Sequence, residues 1–252
     1  IWDSRESSWD FSSSLLLREN HGDTVEACFH LASAKRERQI QDMKAIEEEI
    51  NAEIISLYGL GGEVDHYLDR SDITIDPLVQ KSVVAELISY SVGCMMGRYS
   101  LIEPGLIYAG AENADFDALR YGEFPAEDDG IVPITENEWF DDDAAARFEE
   151  FLKIAWSPRT LPENLRFVAE SLAANGGNDP QKTIRNYFSK SFFKDHQKTY
   201  KQRPIYWLFS SGKQKAFECL VYLHRYNEGT LSRMRMEYVV PLQSRMQARI
   251  DK

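Results

Sequence analysis

The sequence predicts a mainly α-helical protein of the α+β class: a long bridging helix, then a helical domain with a small β-hairpin near its C-terminal end. Two patterns predict this. Apolar residues recur at three- and four-residue steps between charged ones over most of the chain. In residues 204–226 that pattern gives way to two short apolar-aromatic runs around a glycine turn.

Residues 1–20 place Trp2, Trp9 and Phe11 near a serine-rich bend, aromatic side chains that need a surface to pack against. From Asp23 to Tyr58, Val25, Phe29, Ala32, Ile40, Met43, Ile46, Ile50, Ile54 and Leu57 form one apolar stripe. It predicts a helix roughly 50 Å long at about 1.5 Å per residue. Asp23 is the expected N-cap, and Gly59, Gly61 and Gly62 the stop. The stripe is thinnest at Lys35 to Arg38, where a break would end the bridging role. A helix this long with a single stripe packs along another helix or bridges two domains, the plainer alternative being a long core helix.

A second helix is predicted from Asp76, as cap with Pro77 in the first turn, to about Arg98. Its broad apolar set implies burial on most sides. Gly93 and Gly97 then serve close packing rather than phosphate binding, and Arg98 complements the helix dipole at its end. Residues 102–139, rich in Pro, Gly and acids, read as loops with short extended pieces. Helices follow from Asp142 to Ala155, Pro162 to Asn175 and Asp179 to about Tyr200. In the hairpin the strands are Ile205 to Phe209 and Phe217 to Tyr222; alternation sends Ile205, Trp207 and Phe209 to one face, Tyr206 and Leu208 to the other. A last helix starts near Thr230, with Pro241 kinking or restarting it.

At 252 residues, 43% hydrophobic, the chain can bury one or two cores. Cys28, Cys94 and Cys219 lack any paired spacing, so buried reduced thiols are expected. No apolar run is long enough to span a bilayer and the N-terminal residues lack the charged-then-apolar order of a signal peptide, so a cytoplasmic chain without a membrane is expected. Ile1 in first place suits an excised fragment. The five histidines never pair at ligand spacing, and Ser211-Gly212-Lys213 fails as a phosphate loop because Trp207 and Gln214 stand where a glycine and a hydroxyl are required. Asp141 to Asp143 precede an apolar-periodic helix, which makes them a cap rather than a metal site.

The net charge is −12, yet from Lys182 onward fifteen Lys and Arg face five acids. Phosphate attraction acts over about a Debye length, roughly 8 Å at physiological salt, so a basic face can work on an acidic molecule.

Several phrases recur in a fixed order: Glu6-Ser-Ser-Trp-Asp-Phe, Glu47-Glu-Glu-Ile-Asn, Leu57-Tyr-Gly-Leu, the run from Ile88 to Leu106, Trp139-Phe, Lys190-Ser-Phe-Phe-Lys-Asp-His, and the hairpin from Arg203 to Tyr226. Together they resemble the C-terminal region of the PglX family, the adenine-specific DNA methyltransferases of the BREX phage-exclusion system. The resemblance implies a parent that uses S-adenosylmethionine to methylate N6 of adenine. It divides the chain into 1–20, the tail of a target-recognition domain; 21–60, a spacer helix; and 61–252, a helical C-terminal domain. This stretch has no Asn-Pro-Pro-Tyr motif and no glycine-rich cofactor turn, so neither catalytic, cofactor-binding nor metal-ligating residues are expected in it. The implied partners are double-stranded DNA, the parent's methyltransferase and target-recognition domains, and other BREX proteins. Backbone contacts to DNA are expected from Arg98, Lys201, Arg203, Lys213, Lys215, Arg225, Arg233 and Arg235. The competing expectation is a scaffold without DNA contact, whose long helix and acidic loop dock other defence proteins; the net acidity favours it.

Overall fold

The computed structural model describes residues 5–18, 22–173 and 179–251. Trp2, Asn20, Asn175 and Lys252, which entered the expectations above, lie outside them. The elements are mostly helical, with one small antiparallel sheet.

After a single turn, α1 (Leu15–Arg18), the long helix α2 runs from Val25 to Tyr58 without a break at Lys35 to Arg38. Its cap is Thr24, not Asp23. Thr24 is the last extended residue before the helix (φ −135°, ψ 160°), and its hydroxyl accepts from the Ala27 amide at 3.1 Å. Gly59 ends the helix in the left-handed region, φ 68°, which glycine enters without a Cβ clash. Val25, Cys28, Phe29, Ala32 and Ile40 are buried, whereas the same face further on is exposed. Residues 60–79 return alongside α2: the Leu68 amide donates to Glu48 Oε1 at 3.0 Å and Ile73 is buried.

Helix α3 starts at Gln80, three residues later than expected, and ends at Met95. Val79, the residue before it, is extended and gives no side-chain cap; Asp76 instead turns its carbonyl to Arg36, at 3.3 Å. The helix is buried on most of its circumference and packs on α1, on α4 (Ala144–Ala155) and on α5 (Leu161–Leu172). What the glycine pair admits is a pair of rings. A Cβ on Gly93 would stand 2.3 Å from Tyr99 Cδ2, and one on Gly97 (φ 78°) 2.6 Å from Phe116.

The acidic run caps α4. Asp143 accepts from the amides of Ala145 and Ala146 at 3.1 and 3.0 Å and pairs with Arg185. Asp179 likewise caps α6 (Pro180–Tyr187), which passes through a widened π-type turn at Phe188–Phe192 into α7 (Phe193–Thr199).

The sheet has three strands in the order β1-β3-β2: β1 is Ile131–Pro133, β2 Tyr206–Ser210 and β3 Glu218–Tyr222. The two expected strands form the hairpin, with Tyr206 opposite Tyr222 and Ser210 opposite Glu218. The third, inside the loop-rich stretch, pairs with the other edge of β3 and leaves it central and buried throughout. One face of the sheet, with Val132, Tyr206, Leu220 and Tyr222, enters the main core. The other, with Ile131, Cys219 and Val221, forms a second cluster with Phe140, Met234, Tyr238 and Leu242. Cys28, Cys94 and Cys219 are buried and unbridged.

The chain closes with α8 (Thr230–Arg233), a second π-type turn over Met234–Val239, and α9 (Val240–Ile250). Pro241 sits in the first turn of α9, so the widened turn before it absorbs the amide donor it lacks.

Candidate nucleic-acid interface

The cations expected to grip DNA separate in the fold into an outer and an inner set. Lys201 and Arg203 stand on the turn that joins α7 to β2. Lys201 and Gln202 both adopt left-handed backbone, φ 50° and 66°, a conformation costing about 1–2 kcal/mol each for residues other than glycine. The turn is held by consecutive amides: Lys201 donates to Lys198 O, Gln202 to Gln197 O at 2.7 Å and Arg203 to Tyr200 O at 2.9 Å. His196 fixes the strand side. Its Nε2 accepts from the amides of both Ile205 and Tyr206, at 3.1 and 3.2 Å, which places the ring proton on Nδ1. Burial, with Arg98 nearby, pushes the His196 pKa down to about 4, so the ring is neutral near pH 7.

This turn forms one wall of a cleft of about 1010 Å³. The opposite wall is the N-terminal segment from Glu6 to Phe11, and Arg98, Tyr99 and Tyr200 line the floor. Phe11 packs on Tyr99 and Tyr90, with ring centroids 5.1 and 5.9 Å apart, while Trp9 is fully exposed at the rim. In that wall Glu6 accepts from Ser89 Oγ, and burial pushes its carboxyl up to about 7 against the pull of Ser89 and Arg98. The hydroxyl of Tyr206 is buried there without a hydrogen-bond partner among the described residues.

Arg98 is tied into this floor rather than free at a helix end. Its Nε donates to Tyr99 Oη at 3.0 Å and its Nη1 to Tyr222 Oη at 3.2 Å. It is half-buried, so its charge reaches the cleft from beneath. Arg225 departs further from expectation, being 1% exposed. Its Nε donates to Asn113 Oδ1 at 2.7 Å, Nη1 to Glu127 O at 2.5 Å and Nη2 to Asp128 O at 2.7 Å, and its guanidinium lies 3.8 Å from the Phe116 ring centroid. With its donors turned inward, Arg225 pins the acidic loop to the sheet and presents nothing to a phosphate in this conformation.

Lys213 stands exposed at the hairpin tip. Lys215 is exposed too, but its Nζ lies 3.2 Å from Glu218 Oε2. Arg233 is 3.9 Å from Glu237, and Arg235 is exposed on the adjacent turn. Among the described residues no carboxylate oxygen lies within 4 Å of Lys201, Arg203, Lys213 or Arg235. Of the eight cations expected to contact DNA, these four are the ones left to solvent.

Charge counting did not reach Glu6, Trp9 and Tyr200 as lining residues. The one signal in the sequence was the cluster of aromatics near the start that needed packing; Phe11 found a surface and Trp9 did not. Among the described residues no three His, Cys, Asp or Glu side chains gather as a metal site, and no helix is long and apolar enough to cross a membrane.

An adenine-specific methyltransferase of Escherichia coli O9:H4 (strain HS), BrxX, aligns with all of this chain at 44% identity. The chain is similar to one region of that protein. A second adenine-specific methyltransferase, PglX of Lacticaseibacillus casei (strain Zhang), is 39% identical over 96% of the chain. The chain spans 23% and 20% of these two proteins' lengths. No protein-family model matches it.

Proposed function

We propose that this chain is the DNA-gripping, non-catalytic C-terminal module of a BREX adenine-specific (N6) DNA methyltransferase used in phage defence. In this reading it works in the cytoplasm beside the parent's methyltransferase and target-recognition domains and holds double-stranded DNA by its backbone. The observation that carries the reading is that four of the expected cations, Lys201, Arg203, Lys213 and Arg235, are left to solvent, with Lys201 and Arg203 lining the cleft floored by Arg98. Long flexible cations suit phosphate contacts that position a duplex without reading its bases. S-adenosylmethionine belongs to the parent's catalytic domain, since the sequence here carries neither a cofactor turn nor an adenine-binding motif.

Two measurements test this. Titration of the chain with duplexes of unrelated sequence should give weak, equal affinities that fall as salt rises; affinity that ignores salt would remove the backbone grip. Calorimetry with S-adenosylmethionine should show no saturable heat, and a saturable isotherm would overturn the non-catalytic assignment.

A further inference from the structure

The apolar face that α2 buries in its first half continues past the body of the protein, where the described residues leave it exposed. Val25, Phe29 and Ala32 lie on this face and are at most 7% exposed. At 100° per residue Met43, Ile46, Ile50, Ile54 and Leu57 prolong it, yet they are 37, 56, 49, 47 and 83% exposed. The 3-4-4-3 spacing of these five positions is that of a helix-packing seam, continued for four turns in open solvent. Single exposed apolar residues are ordinary on a protein surface, but a contiguous stripe of this length marks an interaction site.

The charges bordering the stripe determine what can cover it. Glu47 stands on one edge, Glu53, Glu49 and Asp42 on the other, and the nearby Lys44 already pairs with Glu48 at 3.5 Å. A second copy of α2 would set the same carboxylates against these, in parallel or antiparallel register, and be repelled. A helix with Lys or Arg beside its own apolar seam meets opposite charge on both edges.

We propose that the second half of α2 is the docking face for an amphipathic partner helix with an apolar seam and basic flanks, a surface separate from the cationic cleft and independent of whether that cleft binds DNA. The helix packs along α2 from Met43 to Leu57, its seam over Ile46, Ile50 and Ile54 and its cations beside Glu47 and Glu53.

The probes are two designed helical peptides with the same Leu/Ile seam, one flanked by Lys and one by Glu, titrated against the full chain by fluorescence anisotropy. The Lys-flanked peptide should bind about ten-fold or more tighter than the Glu-flanked one at near-physiological salt, with that gap narrowing as salt rises. The variant Ile46→Glu/Ile50→Glu/Ile54→Glu should lose the binding while keeping its circular dichroism. If the triple variant loses helix, Leu57→Glu, at the most exposed position of the stripe, should still weaken binding several-fold. Equal affinity for the two peptides, or binding unaffected by these substitutions, overturns the proposal. So does self-association by light scattering that the same substitutions abolish, which would make a second copy the occupant.

Discussion

Arg225 and Lys213 belong to one basic hairpin region in the sequence, yet the fold puts them to opposite uses. Arg225 is enclosed by Asn113, Glu127, Asp128 and the Phe116 ring, and its charge is spent holding the acidic loop against the sheet. Lys213 stands at a turn tip with no carboxylate within reach among the described residues, and its charge remains available to a partner. A cation's availability therefore depends on where the neighbouring carbonyls and rings lie, which the local count of Lys and Arg does not encode.

The sharpest way to break this contrast is to remove the inner cation. Arg225→Met should destabilise the protein by about 1–3 kcal/mol in urea unfolding, because the substitution leaves the part-buried carbonyls of Glu127 and Asp128 without their donor. A loss below about 0.5 kcal/mol, the usual range for surface substitutions, would place Arg225 with the outer cations.

The two titratable groups behind the cleft sharpen the contrast through pH. The Glu6 carboxyl, raised from an ordinary 4.5 to about 7, contributes stability that is full below 4.5 and lost as pH rises through 7. His196, lowered from 6.5 to about 4, acts in the opposite sense: its contribution is full above 6.5 and lost as pH falls through 4. Glu6→Gln should therefore be more stable than wild type above pH 7, by roughly 1–3 kcal/mol, and the two should converge below pH 4.5. Thermal melts from pH 4 to 8 measure this; parallel curves for variant and wild type would mean that Glu6 titrates normally. His196→Leu should cost about 1–3 kcal/mol at pH 7, because the amides of Ile205 and Tyr206 lose their acceptor.

The outer set should behave otherwise in stability. Lys213→Ala and Lys201→Ala should each change unfolding free energy by no more than about 0.5 kcal/mol. A larger loss on Lys201→Ala would mean that its left-handed turn depends on the lysine itself.

Legibility in the sequence follows the same division. Helix α2, both strands of the hairpin and the capping role of the run Asp141 to Asp143 were readable because each rests on local pattern: an apolar period, a glycine turn, an acid before a helix. Strand β1 was not, since Ile131–Pro133 sits among Pro, Gly and acids and is a strand only because β3 offers it an edge. The late start of α3 was hidden for a related reason: Asp76 and Pro77 form a good local start signal, but residues 66–76 are held alongside α2 by contacts distant in sequence. In the candidate site, the exposure of Lys201, Arg203, Lys213 and Arg235 followed from turns and polar faces. The burial of Arg225 depends on Asn113 and Asp128, about a hundred residues away along the chain, and no local pattern marks it.

The most direct test of the outer grip is the salt dependence of duplex DNA binding by Lys201→Glu/Arg203→Glu/Lys213→Glu, a triple variant in which the inner cations stay in place. If all three residues contact phosphates, the slope of log affinity against log salt should flatten by about 0.9 for each lost contact, and affinity should fall at every salt concentration. An unchanged slope and affinity in a folded triple variant would contradict the account and leave the docking stripe on α2 as the better guide to function.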